Sequence, residues 1–390
     1  MSYKNPETAA IRIQTERSHN QEHSAPVYLT SSFVFDDAEE MRATFAEEKQ
    51  RSIYSRYTNP NCAELVEKIC ALEGAQAGTT FATGMSAIFS TFAGLLDTGD
   101  HVLSARSIFG NTHTLFQKYF PKWNISHTYF DVHDLDAIES LIQPNTKIIY
   151  VESPTNPATD ILDLEFLGTL SRKHNLIFIV DNCFATPYLQ QPIKYGADLV
   201  IHSATKLLDG QGRTMGGITV GSEALIDTVY RFARITGPSL SPFNAWTISK
   251  SVETLAVRVD RHCENALQLA QALEKHPKVN QVRYPFLPSH PQYELAKKQM
   301  KAGGNIVTIQ LDGDLTTGRN FLNAIQMCSL TANLGDSRTI VSHPASTTHA
   351  KLNPEEREQV GIADSLIRIS VGLEHIEDIK QDIIKALDTL

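Results

Sequence analysis

Between residues 147 and 206 the chain reads Lys147-Ile148-Ile149-Tyr150-Val151-Glu152, then Leu176-Ile177-Phe178-Ile179-Val180-Asp181, then Asp198-Leu199-Val200-Ile201-His202-Ser203-Ala204-Thr205-Lys206. Each apolar run is short, rich in β-branched residues and almost free of polar breaks, as strands buried on both faces are. Amphipathic stretches separate the runs. Parallel strands joined by crossover helices are therefore expected, an α/β fold with a mainly parallel sheet flanked by helices. In an open parallel sheet, ligands gather in the crevice beyond the carboxyl ends of the strands. Glu152, Asp181 and the segment from Ser203 to Lys206 each follow an apolar run and so converge on that edge.

On either side of this block the pattern continues. Thr79 to Ala82 is β-like, and a helix opens at Gly84-Met85-Ser86. Before it, Ala63 to Leu72 places Leu65, Val66, Ile69 and Leu72 on one helical side, with Gly74 suited to a left-handed cap. After it, apolar spacing predicts one long helical region from about Phe243 to Glu274, a link between domains. Strand-like Asn305 to Leu311 and Ile367 to Val371, separated by helices, predict a smaller C-terminal α+β domain. Residues 1–58 are polar and lack a strong period, so they read as an N-terminal arm; 59–250 and 251–390 are then the main and C-terminal domains.

Composition removes several function classes. Hydrophobic residues are 42% of the 390 and charged ones 20%, a globular composition with room for a large core. Thirty-five Lys and Arg against 44 Asp and Glu give a net charge of −9, and no basic stretch offers a footprint for nucleic acid. Five cysteines without a close pair suit reduced thiols and a cytoplasmic setting. No apolar run reaches the roughly 20 residues that span a bilayer, and the first residues lack a signal core, so neither membrane insertion nor secretion is expected. His343 with His349, and His19 with His23, lack the thiols or carboxylates that would complete a metal site. Gly210-Gln211-Gly212 misses the dinucleotide-binding spacing, and there is neither a P-loop nor a GxSxG elbow.

Ser203 and Thr205 place two hydroxyls beside the Lys206 amine, a set that can hold a phosphate while offering a nucleophile to a carbonyl carbon. Pyridoxal 5'-phosphate (PLP) calls for both. Asp181 supplies a carboxylate that keeps a pyridine nitrogen protonated, without which the ring is a poor electron sink. The helix start at Gly84-Met85 turns free amides and the positive end of the helix dipole toward the same phosphate. A lysine after a strand is by itself most often a solvated surface residue, and a strand-end aspartate says little. The inference comes from the three segments occurring together in this order.

Further motifs run along the chain: Tyr54-Ser55-Arg56 with Asn59-Pro60, Thr83-Gly84-Met85-Ser86-Ala87-Ile88, Glu152-Ser153-Pro154-Thr155-Asn156-Pro157, Val180-Asp181-Asn182, Ser203-Ala204-Thr205-Lys206, His343-Pro344-Ala345-Ser346 and Arg368-Ile369-Ser370-Val371-Gly372. Through these the chain resembles, over nearly its whole length, the Cys/Met-metabolism PLP enzymes of the cystathionine γ-synthase type, which have the fold type I of PLP-dependent transferases. The resemblance implies that Lys206 forms the Schiff base and that Ser203, Thr205 and the Gly84 and Met85 amides hold the phosphate. It implies that Tyr54 and Arg56 reach the phosphate of a neighbouring subunit, so that the arm serves an interface in a homo-oligomer, commonly a tetramer built from dimers. Asp181 is implied as the pyridine partner, Asn156 as the partner of the ring hydroxyl, and Arg368 as the bidentate clamp for a substrate α-carboxylate. Asn333, Glu152 and Tyr54 complete the implied substrate contacts.

Phe109, in Ser107-Ile108-Phe109-Gly110, stands where the family most often has a ring-stacking tyrosine; stacking survives, the hydroxyl's acid-base role does not. Asn111 stands where the methionine γ-lyase branch carries a reactive cysteine. With Leu207 to Arg213, Gly237 to Trp246 and Asn333-Leu334-Gly335-Asp336, these features imply γ-replacement on O-succinyl-L-homoserine by sulfide, giving L-homocysteine and succinate in methionine biosynthesis. Cysteine as nucleophile, the O-acetyl ester, or a γ-lyase reaction on methionine or cystathionine are the enzymatic alternatives. A PLP-binding regulator is the non-enzymatic one.

Overall fold

The apolar runs form the middle of a seven-stranded sheet in the computed structural model, which describes residues 3–347, 350, 353, 357 and 361–390; His349 lies outside them. The strands are β1 (Ala77–Phe81), β2 (His101–Ala105), β3 (Ser126–Phe130), β4 (Thr146–Glu152), β5 (Ile177–Asp181), β6 (Leu199–Ser203) and β7 (Gly217–Gly221), in the order β1-β7-β6-β5-β4-β2-β3. β7 is antiparallel to both neighbours and every other pairing is parallel. Helices cover the sheet and begin where the sequence gives them caps. Pro60–Glu73 starts at Asn59, whose side chain accepts the Asn61 N–H, buries Leu65, Ile69 and Leu72, and stops at Gly74 with φ 77°. Leu164–Lys173 starts at Asp163, which accepts the Phe166 N–H, and buries Leu164, Leu167 and Leu170.

Five further strands, β8 (Val279–Arg283), β9 (Ile306–Leu311), β10 (Ser329–Leu330), β11 (Ile340–Ser342) and β12 (Leu366–Ser370), form a second sheet in the order β10-β11-β12-β9-β8. All its pairings are antiparallel except β10 with β11. Val307, Ile309, Ile367 and Ile369 pack there against Ile379, Ile383 and Leu387 of the helix Ile376–Asp388. Among the described residues no helix is long and apolar enough to cross a membrane.

Two expectations need correction. The helical region expected from Phe243 to Glu274 is two helices, Pro242–Val252 and Leu255–Leu273. An unbroken helix would offer Ser251 O to the Leu255 amide; here the oxygen accepts from Arg258 Nη2 at 2.9 Å and from the Thr254 hydroxyl at 3.1 Å. The second helix serves both cores, with Val259 and Cys263 in the larger and Ala266, Leu269 and Leu273 in the smaller.

The arm, in turn, is not wholly irregular. Pro6–Arg12 is helical although too short to show a period, because Ala9 and Ala10 are buried. Ala38–Phe45 is helical because Asp37 Oδ1 accepts the Glu40 N–H at 2.7 Å. The arm's root is tied down: Glu64 Oε2 accepts the Thr15 N–H, Asn61 Oδ1 accepts the Tyr28 N–H, and Trp246 Nε1 donates to Ala25 O. Beyond it Leu29, Val34, Met41 and Phe45 are exposed.

Candidate active site

Parallel register brings the strand ends together. Glu152 at the end of β4 pairs with Asp181 at the end of β5, and Asp181 pairs with Ile201, two residues before β6 ends at Ser203. Asp181 is half-buried; its Oδ1 accepts the Cys183 N–H at 3.0 Å, and loss of solvent pushes its carboxyl up to about 6. Glu152 is 7% exposed. Its Oε1 accepts the Phe109 N–H at 2.7 Å and the Tyr150 hydroxyl at 3.4 Å. Burial first, then the charge of Asp181, holds its carboxyl well above the usual range. Glu152, expected among the substrate contacts, thus has its Oε1 engaged by the Phe109 backbone.

Ser203 faces the start of the helix Gly84–Leu95. A Cβ on residue 84 would lie 2.7 Å from Ser203 Cβ and 2.8 Å from its Oγ, so only glycine permits this approach. Thr83 caps the helix by accepting the Ser86 N–H at 3.0 Å, while the Gly84 and Met85 amides meet no acceptor among the described residues. Thr205 Oγ1 accepts the Gly216 N–H at 3.2 Å, which pins the segment to the start of β7. Lys206 lies in the turn that follows, where its N–H donates to Ser203 O and its carbonyl accepts the Gly210 N–H. Its Nζ donates to Asn333 Oδ1 at 2.6 Å. Burial, and then the Arg368 charge, pulls the amine below its ordinary pKa.

Arg368, in β12, comes from the second sheet and is 4% exposed. Its Nη1 donates to Asn156 Oδ1 and its Nη2 to Asn333 O, each at 3.1 Å, while Nε has no partner. Burial lowers the guanidinium pKa to about 10. Its partners are neutral, and no carboxylate pairs with it among the described residues. A buried cation so placed is suited to an anion. Phe109 presents an exposed ring at the same crevice, directly before the helix Gly110–Thr114.

Tyr54 and Arg56 stand apart from this group. Arg56 donates to Arg234 O and to the Tyr57 hydroxyl and lies over the Tyr57 ring, and Tyr54 is 40% exposed. Neither bonds to Ser203, Thr205 or Lys206 of its own chain. Two supports had almost no sequence signal. Arg258 Nη1 donates to Leu207 O at 2.8 Å and steadies the turn that carries Lys206. His202 Nε2 meets Glu73 Oε2 at 2.9 Å, both buried beneath the β6 end. Each partner is remote in sequence, and only a mid-helix arginine or a helix-end glutamate hinted at them.

The group fits PLP. Free amides and the Ser203 hydroxyl make an anion cradle that a Cβ on residue 84 would fill, Lys206 offers an amine, Asp181 a carboxylate and Phe109 an aromatic face. The family model for Cys/Met metabolism PLP-dependent enzymes matches residues 7–388. O-succinylhomoserine sulfhydrylase of Pseudomonas aeruginosa is 46% identical over 384 residues, 98% of this chain and 95% of that protein. L-methionine gamma-lyase of Fusobacterium nucleatum subsp. nucleatum is 41% identical over 387 residues, 98% of each chain. A crystal structure from Campylobacter jejuni, described as an O-acetylhomoserine (thiol)-lyase with N'-pyridoxyl-lysine-5'-monophosphate, aligns with a TM-score of 0.94 at 33% identity, over 98% of this chain and 100% of that one. A family match across almost the entire length, together with a crevice equipped for the cofactor, makes this chain a member of the Cys/Met metabolism PLP-dependent enzymes.

Proposed function

We propose that the chain catalyses γ-replacement on O-succinyl-L-homoserine, with sulfide as the nucleophile, giving L-homocysteine and succinate. One observation carries the reading: a buried, carboxylate-free Arg368 is joined through Asn333 to the Lys206 amine, which suits an α-amino acid held by its carboxylate beside a base. The choice of ester and donor is supported by the 46% identical sulfhydrylase, and by Phe109 and Asn111 in the segment where the γ-lyase branch differs.

PLP, when bound, supplies an electron sink next to Cα of the amino acid. The chain's own groups do the rest. Ser203, Thr205 and the Gly84 and Met85 amides would hold the phosphate, and Tyr54 and Arg56 of a neighbouring copy would complete that grip, so the working unit is a homo-oligomer, a tetramer built from dimers. Asp181 would partner the ring nitrogen, Asn156 the ring hydroxyl, and Phe109 would offer its face to the ring. Arg368 binds the α-carboxylate with Asn333 alongside. Lys206 Nζ takes the Cα proton. Loss of a Cβ proton then lets succinate leave Cγ, where sulfide attacks, and return of a proton to Cβ and then to Cα leaves homocysteine. Phe109 has no hydroxyl, so Lys206 moves these protons alone, and its depressed pKa leaves more of the amine neutral near pH 7.

The test offers O-succinyl- and O-acetyl-homoserine, each with sulfide or cysteine, to the purified holoenzyme and identifies the products. Homocysteine from the succinyl ester and sulfide should dominate. Dominant cystathionine would overturn the choice of donor, and 2-oxobutyrate without added thiol would favour the lyase reaction named for the Fusobacterium relative.

A further inference from the structure

The ends of β4 and β5 set two carboxyl groups side by side with no cation between them. Glu152 and Asp181 are register partners on parallel strands, which lie about 4.8 Å apart. Neither forms a salt bridge among the described residues. The donors that reach Glu152 Oε1 are neutral, the Phe109 amide and the Tyr150 hydroxyl. The donor that reaches Asp181 Oδ1 is the Cys183 amide.

Two neighbouring carboxylates taken out of water cannot both ionise without a large penalty, and the more deeply buried one keeps its proton. Glu152 is buried and Asp181 half-buried, so the proton belongs on Glu152. The titratable groups facing the pair agree with that order. Tyr150 comes from β4 and Cys183 from the loop after β5; neither is cationic. His202 of β6 acts on Asp181 and is held from behind by Glu73; Lys206 acts on Cys183. Among the described residues no cationic group acts on Glu152.

We propose that Glu152 is a positioning residue: uncharged, its carboxyl accepts the Phe109 N–H and braces that ring at the crevice, leaving Asp181 as the single negative charge facing the PLP ring nitrogen. This rests on the roles given above to Phe109 and Asp181. The raised pKa of Glu152 accords with it. Glutamine can replace an uncharged glutamic acid here, because its amide oxygen accepts the same N–H; alanine cannot.

The experiment compares Glu152→Ala, Glu152→Gln and wild type, stripped of cofactor and titrated with PLP. Binding, visible circular dichroism and the pH midpoint of the visible absorbance band are recorded. Glu152→Ala should weaken PLP binding by about tenfold, the scale of one lost hydrogen bond to a buried group, and diminish the dichroism. Glu152→Gln should restore both to within about twofold and keep the pH midpoint of wild type. A Gln variant that behaves like the Ala variant, or whose midpoint moves by a full pH unit, would show that a charge on Glu152 matters and would overturn the proposal. So would an Ala variant with wild-type PLP affinity and dichroism. Should Glu152→Ala fail to fold, the Gln comparison still decides. These signals read the cofactor alone, so a different ester or sulfur donor would alter the product assay and leave them in place.

Discussion

The two sheets supply the same crevice by opposite routes. β4, β5 and β6 run parallel, so their carboxyl ends fall on one edge and Glu152, Asp181 and Ser203 become neighbours through register alone. β12 lies between antiparallel β11 and β9, and Arg368 sits in its middle, opposite Ser342 and Thr308. Its arrival at Asn156 and Asn333 depends on how the smaller sheet docks. Parallel strand ends gather function by topology, whereas an antiparallel sheet lends a residue from its flank through packing. The first route should withstand disturbance of the second.

The largest effect is expected at the parallel edge. Lys206→Ala should lower turnover by about 10⁴-fold, the upper range for a general base, and hydride reduction followed by mass spectrometry should find no cofactor adduct at that position. Retention of a tenth of the activity would break the assignment.

Docking of the second sheet is the next target. His262, on the helix shared by both cores, meets Val371 O at 2.7 Å, and burial lowers its pKa from 6.5 to about 4. Folded His262 stays neutral where the unfolded imidazole takes a proton, so its stability contribution is whole above pH 6.5 and falls as pH drops toward 4. The loss over that window is about 3 kcal/mol. Urea unfolding at pH 7 and pH 4.5 should show it, with a shallower drop in His262→Gln; equal drops would remove His262 from the account.

Arg368→Lys keeps the charge and loses the fork. KM for the acyl-homoserine should rise by about 100-fold with a smaller change in kcat, and PLP binding should remain. Loss of PLP binding instead would mean that the docked sheet helps to build the cofactor site.

The smallest effect sharpens the parallel side. Asp181 ionises as pH rises through about 6 in the cofactor-free protein. Only the ionised form partners a protonated ring nitrogen, so PLP affinity should fall by about tenfold from pH 7 to pH 5. Asp181→Asn should bind weakly and lack that step. A wild-type profile that is flat would contradict the pairing.

Much of the parallel side is legible in the sequence alone. Strands at 147–151, 176–180 and 198–201 announce themselves because both faces are buried, and the residues after them inherit the edge. The Gly74 cap was legible too, since a left-handed position favours glycine. The rest depended on remote partners. At the break between Pro242–Val252 and Leu255–Leu273 the Ser251 carbonyl is taken by Arg258 and by the Thr254 amide and hydroxyl instead of the Leu255 amide. The helix Pro6–Arg12 exists because of what buries Ala9 and Ala10. Glu152 follows a strand just as Asp181 does, and nothing local says that Phe109 covers one and not the other.

Alone, the order of residues determined the alternation of strands and helices, the edge at which polar residues gather, and the candidate set of Lys206, Asp181 and the Gly84 helix start, because periodicity and caps act over a few residues. Tertiary structure decided that Ser203 lies against Gly84, that Arg368 enters from the second sheet without a carboxylate partner, and that Glu152 is buried. Those outcomes depend on close approach and loss of solvent between segments far apart in the chain, which no local pattern encodes.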